Sequence, residues 1–188
     1  LHTLIEAFLL VALVVFVFLG DWRSSIIPCL AVPVSLIGSL AVMLAFGITL
    51  NMISLFALVM AIGIVVDNAI VVIEAVNVKI SEEHLSPLEA TQSAMKEISG
   101  AIVAITLVMA AVFSPVAFMG GPEGMFYRQF SITMASSIVL SGFVALTLTP
   151  ALCALILTRE QEKNIKKTWL HKILDKFNAG FNKSIGGY

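Results

Sequence analysis

The chain has 188 residues, of which 59% are hydrophobic and only 12% are charged, whereas about a quarter of the residues of a typical soluble domain are charged. Water is therefore the wrong solvent for most of the chain, and the composition excludes an ordinary soluble domain. The formal net charge of -1 identifies no partner, because the charged residues are segregated along the sequence.

Apolar runs long enough to cross a bilayer occur five times along the chain. A helix needs about 20 residues, at about 1.5 Å each, to cross about 30 Å of hydrocarbon. The predicted spans are residues 4–19, 26–46, 51–76, 98–119 and 130–157. They predict an all-α fold, a polytopic membrane helix bundle. Because the sequence begins Leu1-His2-Thr3 without a methionine, we expect the chain to be a fragment of a longer protein.

A helix-start signal lies in the polar stretch between the third and fourth spans. Ser86 has the character of a capping residue, Pro87 suits the first helical position, and Glu89 stands three residues after the cap. The fourth helix is therefore predicted to begin outside the hydrocarbon.

Four prolines, Pro28, Pro33, Pro115 and Pro150, lie within or near the predicted spans. Neighbouring helices and hydroxyl groups can satisfy the carbonyls that proline frees in a membrane. The prolines therefore predict kinks rather than breaks, with ordinary packing irregularity favoured over a hinge.

Lysine and arginine near the span ends predict the orientation, because cytoplasmic loops are enriched in both. Only Arg128 lies on one side of the membrane. The other side carries Arg23, Lys79, Lys96, Arg159, Lys163, Lys166, Lys167, Lys172, Lys176 and Lys183. We therefore expect a periplasmic amino end and a cytoplasmic carboxyl end.

The last 31 residues are too polar to cross the bilayer, which divides the chain into a transmembrane bundle, 1–157, and a tail, 158–188. Apolar side chains recur in the tail at helical spacing: Trp169, Leu170, Ile173, Leu174, Phe177 and Phe181. This pattern predicts an interfacial amphipathic helix along the inner leaflet. A cytosolic helix packed on another domain is the alternative.

Asp67 stands in the middle of the third apolar span. A carboxylate there costs about 2.5 to 3.5 kcal/mol on insertion scales, so such residues face a bundle interior and are usually functional. Carboxyl groups hold their protons more tightly in apolar surroundings than in water. The sequence therefore predicts a site that loads and releases a proton, driven by about 2.3 kcal/mol per 100 mV of membrane potential.

Helical spacing places small residues beside Asp67. Gly63 lies one turn before it, while Ala61 and Asn68 belong to the adjoining stripe. Small residues let a partner helix approach closely, so Asp67 and Asn68 are both expected to face a neighbouring helix. The structural alternative for Asp67 is an interhelical hydrogen bond alone. Glu6 and Glu74 are interpreted as solvated carboxylates near span ends.

No other group of residues indicates a reactive site. The histidines, His2, His84 and His171, lack metal-ligand spacing, and no glycine-rich loop ends in the Lys-Ser or Lys-Thr of a nucleotide site. Cys29 and Cys153 lie in apolar runs and are interpreted as packing residues. We expect no enzyme activity, no metal, no cofactor and no nucleic-acid partner.

Three motifs in order resemble the hydrophobe/amphiphile multidrug class of resistance-nodulation-cell division efflux pumps, typified by the acriflavine-resistance transporter. They are Gly63-Ile-Val-Val-Asp-Asn-Ala-Ile-Val-Val-Ile-Glu74, Phe118-Met-Gly-Gly-Pro-Glu-Gly-Met-Phe-Tyr-Arg-Gln-Phe130 and Ala145-Leu-Thr-Leu-Thr-Pro-Ala-Leu-Cys-Ala154. The resemblance covers nearly the whole chain and corresponds to the second through sixth helices of the family plus its inner-surface helix.

This resemblance implies a bacterial inner-membrane pump that exchanges drugs for protons, with Asp67 as the proton carrier. It implies a trimer with periplasmic porter domains, a periplasmic adaptor and an outer-membrane channel, and second-half helices that supply cationic partners. The family pattern usually has two consecutive aspartates, whereas Asn68 stands at the second position here. Asn68 can only hydrogen-bond.

Two alternatives stay open on the sequence. One is a pump of the same superfamily that exports metal ions or another substrate. The other is a membrane assembly subunit that transports nothing. An intramembrane aspartyl protease is excluded, because that chemistry needs two facing aspartates and Asp67 is the one mid-membrane aspartate.

Overall fold

The chain is described by a computed structural model that covers residues 2–121 and 123–157. Within these residues the structure is helical and contains no strand. The helices are α1 (His2–Leu19), α2 (Trp22–Ala45), α3 (Met52–Glu82), α4 (Pro87–Phe113), α5 (Gly124–Leu146) and α6 (Leu148–Ile156), with a 3-10 helix at Pro115–Phe118. The predicted interfacial helix at 158–188 lies outside the described residues.

Five helical segments are long and apolar enough to cross a membrane: α1, α2, α3, α4 with the 3-10 helix, and α5 with α6. The predicted all-α polytopic bundle is therefore confirmed. α3 is the longest of the described helices, and its 31 residues extend about 46 Å, well beyond about 30 Å of hydrocarbon. It continues six residues past its predicted end at Val76.

Side-chain caps fix where α2, α3 and α4 begin. The Asp21 side chain accepts a hydrogen bond from the Ser24 amide at 3.1 Å. Asn51 accepts from the Ser54 amide at 2.9 Å, which satisfies one of the four amide groups that a helix start leaves unpaired. Ser86 and Glu89 form a reciprocal capping box at the start of α4, so the predicted start of that helix is confirmed.

Proline acts differently in the second and fifth spans. α2 continues unbroken through Pro28 and Pro33, as predicted. Near Pro150 the fifth span is interrupted at the single residue Thr147 and resumes as α6 within the same span. Proline has no amide to donate to the carbonyl four residues earlier, and its ring clashes with that carbonyl. The Thr147 hydroxyl donates to the Phe143 carbonyl at 2.7 Å, which gives this carbonyl a hydrogen-bond partner at the interruption.

α3 lies at the centre of the bundle and contacts α1, α2, α4, α5 and α6. Lipid tails are as apolar as leucine, so membrane helices associate through close packing of small residues rather than through the hydrophobic effect. The buried positions of the bundle are accordingly rich in alanine and serine, including Ala57, Ala61, Ala69, Ser35, Ser39, Ser137 and Ser141. This packing fixes the rotation of α3 within the bundle.

Candidate functional site

α3 has two distinct faces. Its buried face packs against the other helices and includes Ala57, Leu58, Ala61, Ile62, Val65, Asn68, Val72, Ile73 and Val76. The opposite side, which we call the open face, carries Met52, Phe56, Met60, Gly63, Asp67, Val71, Glu74 and Val78, all exposed. These positions follow one another at intervals of three or four residues, so they form one continuous stripe along the helix.

Asp67 lies on the open face at the midpoint of α3, fifteen residues from Met52 and fifteen from Glu82. Its neighbours one turn away on that face are Gly63 and Val71, and both are exposed. Asp67 makes no hydrogen bond or ion pair with any residue in the described part of the chain. No helix in the described part of the chain covers Asp67, and the expectation that it faces a neighbouring helix stays a prediction.

Asn68, the next residue, points into the bundle and is only 8% exposed. Its Nδ2 donates a hydrogen bond to the Ser141 hydroxyl of α5 at 2.9 Å. Successive residues of a helix are rotated by about 100° around its axis, so Asn68 can meet α5 while Asp67 stays on the open face. The expectation of a neighbouring helix therefore holds for Asn68, whose side chain links α3 to α5.

Sequence reasoning missed Ser141 as the partner of Asn68. The signal that could have found it is the pair of hydroxyls at Ser137 and Ser141, one helical turn apart in a span that also carries Ser131, Thr133 and Ser136. Both are buried, and the Ser137 hydroxyl donates to the Thr133 carbonyl of its own helix at 2.8 Å. Ser141 is thus the α5 hydroxyl that reaches α3.

The bond between Asn68 and Ser141 predicts a measurable coupling energy. Asn68→Ala and Ser141→Ala should each destabilise the full-length protein by about 0.6 to 2 kcal/mol, the range found for interhelical hydrogen bonds in membranes. Unfolding in mixed micelles measures both single variants and the double variant. The double variant should lose less than the sum of the two, because the second substitution finds the bond already gone. Strict additivity would contradict a direct bond.

Charged residues cluster where the carboxyl end of α3 packs beside α4. The Lys79 ammonium lies 2.7 Å from Glu83 and 2.6 Å from Glu97 of α4. These groups, with Glu74 and Glu82, border an open groove. The pair with Glu97 joins the extended end of α3 to α4, a contact that the sequence did not predict.

The described residues show no group of three histidine, cysteine, aspartate or glutamate side chains that could hold a metal ion. Cys153 is buried and Cys29 is half-buried, in keeping with their interpretation as packing residues. The chemistry of the open face is therefore that of carboxyl groups in an apolar stripe, with Asp67 at its centre.

Comparison with known proteins identifies the family. The model of the AcrB/AcrD/AcrF family matches residues 1–188. The chain is 47% identical to the toluene efflux pump membrane transporter TtgE of Pseudomonas putida, over 99% of the chain and 18% of the relative. It is 48% identical to the multidrug resistance protein MdtF of Escherichia coli, with the same coverage.

A third relative, the antibiotic efflux pump membrane transporter ArpB of Pseudomonas putida, is 47% identical over 100% of the chain and 18% of its own length. The chain thus spans about a fifth of the length of these curated relatives. The match runs through the helical bundle and the motif around Asp67. The chain belongs to the AcrB/AcrD/AcrF family of resistance-nodulation-cell division efflux pumps.

Proposed function

We propose that this bundle is part of the membrane domain of a proton-driven multidrug efflux transporter, with Asp67 as the proton carrier. One observation carries the proposal: the carboxylate lies at the midpoint of the longest described helix, on its open face, without a partner among the described residues. An ionised carboxylate at membrane depth is costly, so a cation or a proton must compensate it in the working protein.

The open face of α3 is available for a contact with another helix that changes during transport. In the intact pump, a cation on a second-half helix pairs with ionised Asp67, as the family resemblance implies. Protonation of Asp67 abolishes this attraction, and the two halves then shift relative to each other. Asn68 stays neutral throughout, and its bond to Ser141 holds α3 in register with α5 while the open face changes partner.

The location and assembly follow from the same resemblance. We place the chain in the bacterial inner membrane, with the amino end periplasmic and the carboxyl end cytoplasmic. Lys79, at the junction of α3 and α4, then lies on the cytoplasmic side, where lysine and arginine are enriched. The full-length pump is a trimer that works with a periplasmic adaptor and an outer-membrane channel.

The relatives' names support organic substrates. TtgE is named for toluene efflux, MdtF for multidrug resistance and ArpB for antibiotic efflux. Identities of 47% and 48% over 99% of the chain support a similar class of exported compound. The exported compounds of this transporter are therefore proposed to be drugs and solvents rather than metal ions.

Reconstitution of the full-length transporter in vesicles tests this function. An imposed pH gradient should drive transport of a fluorescent drug, and a protonophore should stop it, because the proton is the coupling ion. Transport of a divalent metal but of no drug would instead favour the metal exporter. A correctly inserted protein that moves neither would favour the non-transporting assembly subunit.

A further inference from the structure

Glu74 is a second carboxylate on the open face of α3, seven residues after Asp67. At about 1.5 Å per residue the two are separated by about 10.5 Å along the helix axis. Seven residues are almost two full turns, so both side chains project from the same side of α3. Val71 is the only residue of the open face that lies between them.

Glu74 lies closer to the middle of α3 than the charged residues at the end of that helix. Lys79, which pairs with Glu97 of α4 at 2.6 Å, comes five residues later and therefore about 7.5 Å further along the axis. The sequence predicted that Glu74 lies near the end of the apolar span, and α3 continues eight residues beyond it to Glu82. With Asp67 at the middle of the span, the separation of about 10.5 Å places Glu74 within the roughly 15 Å of hydrocarbon on that side. A carboxylate there is costly unless it meets water or a polar partner, and such residues commonly mark ion routes.

A groove beside α3 leads from the apolar part of the open face to these charged groups. It begins at Ile70 and Val71, the latter one helical turn beyond Asp67, and runs past Glu74 to the charged residues at the helix end. The charged groups that border it are Glu74, Lys79, Glu82 and Glu83 of α3 and Glu97 of α4. Lys79 already holds Glu83 and Glu97 at 2.7 and 2.6 Å. Glu74 has no hydrogen-bond or ion-pair partner in the described ranges.

We propose that Glu74 is the relay carboxylate that receives the proton from Asp67 and releases it into the groove between the ends of α3 and α4. In the first step the O–H bond of protonated Asp67 breaks, and its proton reaches the Glu74 carboxylate through water in the groove. Asp67 is then ionised and Glu74 is neutral. In the second step Glu74 gives the proton to water and becomes ionised again.

This inference rests on the proposed function, because it requires Asp67 to carry the proton. The proton is then released at the end of α3 that carries Lys79. The inference also gives separate roles to two carboxylates of one helix: Asp67 couples the proton to movement of the pump halves, whereas Glu74 sets how fast the proton leaves.

The test uses the full-length transporter in vesicles and measures the rate of proton-driven drug transport across a range of pH on the release side. Glu74→Gln should slow transport by roughly tenfold or more, a modest share of what positioned proton-transfer groups contribute. Glu74→Asp should give an intermediate rate. Glu6→Gln is the control, because Glu6 is an exposed carboxylate of α1 that does not border the groove, and it should leave the rate unchanged.

A small mobile buffer separates a relay from a structural role. High imidazole on the release side should restore much of the lost rate in Glu74→Gln, because the buffer can accept the proton directly. Two outcomes overturn the inference: a wild-type rate at every pH, or a slow rate that buffer does not restore. Where Glu74→Gln fails to reach the membrane, the same two readouts on Glu74→Asp decide. Active transport by Asp67→Asn would instead overturn the proposed function itself.

Discussion

Asp67→Asn in the full-length transporter should reduce energised export to passive equilibration of the drug. One proton that moves through about 100 mV releases about 2.3 kcal/mol. Each tenfold step of a drug gradient costs about 1.36 kcal/mol. If one drug molecule exchanges for one proton, the proton therefore sustains up to about a 50-fold drug gradient. Asparagine has nearly the size of aspartate but cannot exchange a proton. The steady-state ratio of a fluorescent drug across the membrane should therefore fall to about one.

Asp67→Glu is the control for this loss, because it keeps a titratable carboxyl group at the same position of the open face. We expect it to retain part of the gradient, reduced by the longer side chain. Membrane content and insertion of both variants are compared by immunoblot. A wild-type drug gradient in Asp67→Asn at equal expression would contradict the assignment of the proton carrier.

Gly142→Val should destabilise the bundle by about 1 to 3 kcal/mol, the usual cost of overpacking a filled interior. Gly142 of α5 is buried, and a Cβ at this position would collide with both the hydroxyl and the methyl group of Thr106 on α4. The added methyl groups would force α4 and α5 apart. Loss of the folded, full-length protein is measured by heat-induced aggregation in detergent.

Gly100→Val provides the matched control for Gly142→Val. Gly100 also lies within a helix, α4, but it is exposed, and an added Cβ would meet nothing within 4 Å. The backbone and rotamer effects of valine in a helix are common to both variants, so the difference between them reports the α4–α5 contact. Equal stability of the two variants would mean that α4 and α5 do not approach closely at Gly142.

Length and hydropathy were sufficient to predict the class of fold. Apolar runs of about 20 residues have few alternatives to membrane helices, and the capping box at Ser86 located the start of α4 correctly. The break at Thr147 was missed because a proline within a membrane helix can either bend or interrupt it, depending on how neighbouring groups satisfy the freed carbonyls. The extension of α3 to Glu82 was missed because the apolar run ends at Val76, whereas the helix continues through the more polar residues that follow.

The site was predicted in part. The cost of a charge in hydrocarbon singled out Asp67, because its position within an apolar run can be read from the sequence. Which way Asp67 faces depends on the rotation of α3, which the packing of its buried face sets and the bond between Asn68 and Ser141 of α5 supports. A contact between residues 73 positions apart is not encoded in the periodicity of either helix alone. Similarly, the position of Glu74 well inside α3 became clear only once the helix was seen to continue to Glu82.

Proton movement driven by a drug gradient shows directly whether Asp67 couples the proton flux to the drug flux. The full-length transporter is reconstituted in vesicles that contain a pH-sensitive dye, a drug gradient is imposed without any pH gradient, and the internal pH is followed. We expect a proton flux opposite to the drug flux in the wild-type protein and none in Asp67→Asn. A drug-driven proton flux of wild-type size in Asp67→Asn would contradict it.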